Sequence, residues 1–265
     1  MGPLALLACI AGAPLNGSNP PVETRPSSTA AQSGEAPQSP SSLPPATSGA
    51  PAGVATPPAA PPELKIEQHP LPFDAERARL TLAYRRQHQG YTGTEITIQP
   101  TVVVLHWTGG STALSAWNTF APTRAADARP ELAAAGEVNV SSQFIVDRDG
   151  TIWQLMPENQ MARHCIGLNH LAIGIENVGA ADLGGDSSKS PLTPAQVQAD
   201  VALIRDLRSR WPLERVIGHL EYRRLEGTSY FLELDPNYRT GKADPGPNFT
   251  AAVRAGLADL GLTGP

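Results

Sequence analysis

Between positions 101 and 110 the chain reads Thr101-Val102-Val103-Val104-Leu105-His106, then reaches Gly109-Gly110. A β-branched apolar run this short, closed by glycine, predicts a buried strand with His106 at its C-terminal end. The runs 143–148 and 151–155 flank Asp149-Gly150. They predict a hairpin, with positive φ expected at both turn positions. Ala172-Ile173-Gly174-Ile175-Glu176 reads as a further strand that ends on a carboxylate. After Thr193-Pro194, the residues Val197, Val201, Ile204 and Leu207 recur at helical spacing. Thr can cap the free amides and Pro suits the first helical position, so a helix is expected from there to about Arg210, stopped by Pro212. Arg215-Val216-Ile217-Gly218-His219 predicts another short strand that delivers a histidine at its end, and an amphipathic helix is expected over 250–260 with Gly261 as its cap. The order of strands, helix, strand and helix points to an α/β fold, a single domain with a central mixed β-sheet flanked by helices.

Composition divides the chain. Residues 1–62 hold 14 of the 27 prolines, three charged residues (Glu23, Arg25, Glu35) and no aromatic, whereas every aromatic lies from Phe73 onward. Such a segment cannot bury enough apolar surface to offset its chain entropy, so residues 11–62 are expected to be a disordered Pro/Ala/Ser-rich linker. The about 200 residues of 63–265 suffice for one globular domain. A net charge of −5 leaves no basic footprint for nucleic acid. No apolar run approaches the ~20 residues of a membrane-spanning helix. Residues 1–10 are short and apolar, and Leu6-Leu7-Ala8-Cys9 resembles a bacterial lipobox, in which cleavage precedes a Cys that carries lipid. Any membrane contact is expected through that lipid alone. Cys9 and Cys165 are the two cysteines, which leaves no disulfide framework.

Three side chains stand out as metal ligands by context: His106 and His219 at strand ends, and Asp244 within Lys242-Ala243-Asp244-Pro245-Gly246-Pro247. Singly, each has an ordinary explanation, as a hydrogen-bonded histidine or a turn aspartate. Together, two imidazoles and a carboxylate provide three ligands for Zn²⁺ and leave a fourth position for water, the arrangement of a catalytic site. Their separation along the chain does not by itself bring them together.

The segments His106-Trp107-Thr108-Gly109-Gly110, Asp147-Arg148-Asp149-Gly150-Thr151-Ile152, Asn169 with Ala172-Ile173-Gly174-Ile175-Glu176, Gly218-His219 and Lys242 to Pro247 occur in an order that resembles the zinc-dependent N-acetylmuramoyl-L-alanine amidases of the amidase-2 type, a family that includes the peptidoglycan-recognition proteins. The resemblance spans about 102–249. It implies a central mixed sheet, a Zn²⁺ held by His106, His219 and Asp244, and cleavage of the amide between N-acetylmuramic acid and L-alanine in peptidoglycan or muropeptides. It further implies that Glu176 transfers the proton from water and that Lys242 stabilises the oxyanion. A strand-end ion pair for Glu176 and a solvated loop lysine are the plainer readings of the same two residues. His164, Asn169 and Trp107 are the candidates for substrate contact.

The chain departs from the pattern in several places. Ser141-Ser142-Gln143 replaces Ser-Ala-His, and Arg163-His164-Cys165-Ile166-Gly167 replaces Trp-His-Ala-Gly. Cys165 is expected to be a small buried filler rather than a nucleophile. The interval 220–241 is longer than in compact bacterial members and carries Tyr222, Arg223, Arg224, Tyr230, Phe231 and Tyr238. It is expected either to wall the substrate cleft or to pack on the flank. The leading expectation is a monomeric, exported enzyme in the periplasm or on the outer membrane as a lipoprotein. A tethered non-catalytic peptidoglycan-binding module and a cytosolic anhydro-muropeptide recycling amidase are the alternatives.

Overall fold

The computed structural model describes residues 64–126 and 134–265. The lipobox-like start, Cys9 and the Pro-rich stretch to residue 62 lie outside the described residues. The chain forms β1 (Ile66–Gln68), α1 (Ala75–Gln89), β2 (Val102–Trp107), α2 (Ala113–Phe120), β3 (Phe144–Val146), β4 (Ile152–Gln154), β5 (Ala172–Asn177), α3 (Pro194–Arg210), β6 (Arg215–Gly218) and α4 (Pro247–Ala255), with short 3₁₀ turns at Ser187–Lys189, His219–Leu225 and Ala258–Leu260. The strands make one sheet in the order β1-β4-β3-β5-β2-β6. Among the pairings of these six strands in the described residues, the β3–β4 hairpin is antiparallel and the others are parallel, so the sheet is mixed as expected.

Strand alternation sorts the side chains between two faces. Val103 and Leu105 of β2, Ile173 and Ile175 of β5 and Val216 of β6 join Leu203, Ile204 and Leu207 of α3 and Phe249 and Val253 of α4 in the main core. Val102, Val104, Ala172 and Ile217 face the other way, against Cys165, Leu168, Tyr222 and Leu225. Both faces are therefore covered, which is why these strands read as continuous apolar runs.

Several elements differ in detail from what the pattern predicts. The hairpin forms, but among its turn residues positive φ occurs only at Gly150 (90°). The N–H of Gly150 bonds to the carbonyl of Asp147 and that of Asp147 to the carbonyl of Thr151, so the turn is one residue wider than the two-residue type and needs a single glycine. Helix α3 starts as expected, with a capping box between Thr193 and Gln196. Its fully buried face is rotated, to Gln196, Asp200, Leu203, Ile204 and Leu207, while Val197 and Val201 stay partly buried. The reason is polar: the Gln196 amide donates to the carbonyls of Val146 (3.1 Å) and Val178 (3.0 Å), and Asp200 accepts from Asn177 (3.0 Å). The C-terminal helix lies earlier than expected, at Pro247–Ala255, because Asp182 accepts from the N–H groups of Asn248 (2.9 Å) and Phe249 (2.8 Å) and caps it from outside. Gly261 does adopt the left-handed conformation, but it ends the 3₁₀ turn. Helices α1 and α2 were not foreseen: α1 carries no apolar stripe, and α2, with Ala113, Ala116 and Phe120 buried at helical spacing, gave a local signal that was missed in the sequence. Arg77 of α1 is buried, and its Nη2 donates to the carbonyls of Phe120, Ala121 and Pro122 at the end of α2.

Asp200 is fully buried, and burial, opposed by the Asn177 hydrogen bond, pushes its carboxyl up to about 8. The remaining oxygens of both residues, Asp200 Oδ1 and Asn177 Oδ1, have no partner. Because the folded value lies above the unfolded one, the stability associated with the neutral acid is present at low pH and is lost as pH rises through about 8. Asp200→Asn keeps the shape, retains an acceptor for Asn177 Nδ2 and removes the buried carboxylate charge. It is expected to stabilise the domain by about 1–3 kcal/mol at pH 8.5. Urea denaturation should show a much smaller gain at pH 5.

Candidate active site

Strands β5, β2 and β6 are parallel, and their register places His106 beside Glu176 on one side and Leu105 beside Gly218 on the other. Partners in register leave the sheet on the same face, so His106 and Glu176 emerge together at the C-terminal edge. His219 follows Gly218 and opens the 3₁₀ turn, one residue beyond the strand that was expected to end on it. Gly218 is required there: an added Cβ would lie 2.5 Å from Thr250 Oγ1 of α4 and 2.6 Å from Leu220 Cδ2. Glu221 accepts from the Gly218 N–H (3.0 Å) and pairs with Arg254, which fixes the turn. Asp244 is drawn in by the bond from Leu220 N–H to its carbonyl (2.8 Å).

The result is a convergent set. Asp244 Oδ2 lies 3.2 Å from His106 Nδ1 and 3.0 Å from His219 Nδ1. All three residues are buried, and their ligand atoms lie within 4.8 Å of one another. Beside them opens a cavity of about 350 Å³, lined in part by His164, Cys165, Asn169, His219 and Lys242. Glu176 is buried next to His106.

The sequence profile of the amidase-2 family, N-acetylmuramoyl-L-alanine amidase, matches residues 97–247, more than half of the chain. The chain belongs to the amidase-2 family. Over 137 residues it is 32% identical to the N-acetylmuramoyl-L-alanine amidase AmiD of Escherichia coli (strain K12), covering 44% of each chain. It is 29% identical over 84 residues to an endolysin of Enterobacteria phage K11, covering 32% of this chain and 55% of that one. The chain thus spans about half the length of these curated relatives. Among solved structures, the amidase LysC from Clostridium intestinale URNW aligns with a TM-score of 0.43 and 19% identity, over 75% of this chain and 98% of that one.

As an amidase-2 site, the cluster suits a metal cation. Zinc ligands at ~2.0–2.1 Å in a tetrahedron stand roughly 3.3 Å apart, close to the separations here. Asp244 Oδ1 is buried with no hydrogen-bond partner, a cost that a cation would remove. Burial lowers His219 to about 4 despite the opposing pull of Asp244, so the ring is neutral at pH 7. For Asp244, burial opposes the charge, but His219 and His106 outweigh it and hold the carboxyl well below its usual range. A neutral imidazole and an ionised carboxylate are the forms that bind metal.

The remaining candidates fall into place unequally. Lys242 is half-buried and lines the cavity. Asn169 lines it too, but its carbonyl oxygen is committed to the N–H groups of His164 (2.9 Å) and Cys165 (2.8 Å). Trp107 does not reach the cavity: one residue after His106, it exits the opposite face and packs on the main core. Cys165 is a buried filler, its thiol pushed well up by burial. Gln143, standing where the family often has His, donates to the carbonyl of Gln160 (2.8 Å) and accepts from Gly174 N–H (2.8 Å).

The interval 220–241 divides. Tyr222 and Leu225 belong to the core, and Arg223 and Arg224 turn to Glu226 and Glu221 rather than to the cavity. Asp235, Asn237, Tyr238, Arg239 and Thr240 line the cavity instead. Arg163, missed in the sequence, lines it from the other side and braces it, donating to the carbonyls of Gly136 (2.8 Å) and Val138 (2.6 Å) and to Tyr238 Oη (3.2 Å). Its position directly before His164 was the available signal.

Titration with Zn²⁺ is expected to give one metal per chain. Metal analysis after dialysis should show that His219→Ala loses it with the fold retained by circular dichroism. Full occupancy in that variant would remove His219 from the ligand set.

Proposed function

We propose that the protein is a zinc-dependent amidase that hydrolyses the bond between N-acetylmuramic acid and L-alanine in peptidoglycan. The observation that carries this reading is the convergence of His106, His219 and Asp244 at a strand edge beside Glu176, in a chain of the amidase-2 family. AmiD, with which it shares 32% identity over the matched part, is named for that activity.

Zinc held by His106, His219 and Asp244 would act as a Lewis acid and lower the pKa of coordinated water to about 7. The protein side chains would do the rest. Glu176, buried beside His106, takes the proton of the attacking water and returns it to the departing alanine nitrogen. Lys242, at the cavity lining, offsets the negative charge that grows on the carbonyl oxygen. No covalent acyl-enzyme is needed, and the buried Cys165 is not required as a nucleophile.

The cavity wall contributed by 235–240 supports a role in reading the substrate beyond the scissile amide. Arg239 is held over the Phe231 ring at 4.8 Å, its Nη1 donates to the carbonyls of Asp235 (2.9 Å) and Tyr238 (2.8 Å), and its Nε lies 3.6 Å from Glu226 Oε1, so Nη2 is the edge it offers to a stem-peptide carboxylate. The lipobox-like Leu6-Leu7-Ala8-Cys9 and the Pro-rich stretch after it support export and lipid anchoring of a protein that acts as a single chain on the cell wall.

Mass analysis of products from defined muropeptides should show free lactyl and L-alanine ends, and their loss on chelation. Glu176→Gln is expected to keep the metal and the fold and to lose on the order of 100-fold in kcat. Near-normal turnover in that variant would return Glu176 to a structural role. Arg239→Ala should raise KM for polymeric peptidoglycan more than for a minimal muramoyl dipeptide. An equal effect on both would place it outside substrate recognition.

A further inference from the structure

His164 stands in the cavity lining, where a substrate contact is its simplest role. Its polar contacts point elsewhere. Its Nδ1 lies 3.0 Å from Nε2 of His106, and its Nε2 lies 3.4 Å from the carbonyl oxygen of Ala172 in β5. The two rings meet edge to face, with centroids 5.1 Å apart and an interplanar angle of 87°.

A carbonyl oxygen can only accept, so the proton of a neutral His164 ring sits on Nε2 and its Nδ1 presents a lone pair. That lone pair faces His106 Nε2, which must then donate. With its proton on Nε2, His106 turns an unprotonated Nδ1 toward Asp244 Oδ2 and the metal position. The order runs from a backbone carbonyl through two imidazoles to the ligand atom. We propose that His164 is a positioning residue that fixes the tautomer and the ring plane of His106 as a metal ligand. This rests on the metal reading of the site given above.

The surroundings of His164 are built for that task. Its backbone is pinned by Asn169, whose Oδ1 takes the N–H groups of both His164 and Cys165. Its ring lies flat against β5 at Gly174, where an added Cβ would come within 2.9 Å of His164 Cγ and 3.0 Å of Nδ1. The glycine in Ile173-Gly174-Ile175-Glu176 is therefore the place the imidazole occupies. Gly174 and Glu176 share one face of β5, so one strand carries the seat of the positioning ring and, two residues later, the candidate base. A ligand histidine that donates its far N–H to a fixed acceptor is the usual arrangement at metal sites, and loss of such an acceptor weakens the metal by about 10–100-fold. Here the acceptor is a second imidazole, itself oriented by the sheet backbone.

The test is zinc affinity, measured by competition with a chromophoric chelator in wild type, His164→Leu and His164→Asn. Leucine fills the space without an acceptor and is expected to weaken zinc by about 10–100-fold. Asparagine places Oδ1 near the position of Nδ1 and is expected to restore affinity to within a few-fold. Equal affinity in all three proteins, with KM alone raised, would assign His164 to substrate and overturn the proposal. Wild type that binds no zinc while folded would instead overturn the metal reading itself. If His164→Leu fails to fold, long-range ¹H–¹⁵N spectra of the zinc-loaded wild type decide the matter. Protonated Nε2 and unprotonated Nδ1 on both His106 and His164 are expected, and a proton on His164 Nδ1 would overturn the relay.

Discussion

Three parallel strands in register, β5, β2 and β6, bring Glu176, His106 and the residue after Gly218 to one edge of the sheet. Parallel pairing sets this lateral order without any contact between the side chains themselves, and alternation sends Glu176 and His106 to the face away from α3 and α4. Asp244 completes the group because Leu220 N–H holds its carbonyl and Asp182 caps the helix that begins three residues later. A slip of one residue in β2 would send His106 into the apolar core and Trp107 toward the cavity. The apolar contacts of Val103, Leu105, Ile173 and Val216 with α3 and α4 oppose that slip, so the main core guards the geometry of a site on the opposite face.

Helix α2 packs on the site face at Ile145, the register partner of Glu176, but beside the ligands the described residues that cover this face are irregular chain, and this calls for polar side chains in place of regular ladders. Arg163 gathers the carbonyls of 135–138, Asn169 holds the turn that carries His164, and Glu221 ties the 3₁₀ turn to Arg254 of α4. Each closes backbone groups that would otherwise be buried without partners. His88 and Glu233, both buried and 2.8 Å apart, join α1 to the interval between the second and third ligands. That interval therefore has two roles. Its first part, with Tyr222 and Leu225, is core, and its last part, around Tyr238 and Arg239, forms cavity wall. The either-or expectation for 220–241 was too coarse, because a segment anchored at both ends near the ligands has room to do both.

The strands β2, β5 and β6 and the helix α3 were legible because their signals are local: β-branched runs closed by glycine, and a Thr-Pro start with a Gln three positions after the Thr. Helix α1 was not, since it buries Arg77, Thr81, Arg85 and His88 along with Leu80 and Tyr84, which erases the apolar stripe. Its ends alone were marked, by Asp74 as N-cap and Gly90 in the left-handed conformation. The same polar burial rotated the inner face of α3 toward Asp200.

The residue types and the order of His106, Glu176, His219, Lys242 and Asp244 were in the sequence, and so were the strand ends that present the first three. Those follow from local periodicity and from a family pattern that survives at fixed motif positions. What only the tertiary structure decided is which neighbours each side chain meets. It excluded Trp107 by the parity of β2 and turned Arg223 and Arg224 away toward Glu226 and Glu221. It also turned Nδ1 of His164 toward His106, over the space left by Gly174. These outcomes depend on pairings between segments far apart in the chain, and no local pattern encodes the direction in which a side chain finds its partner.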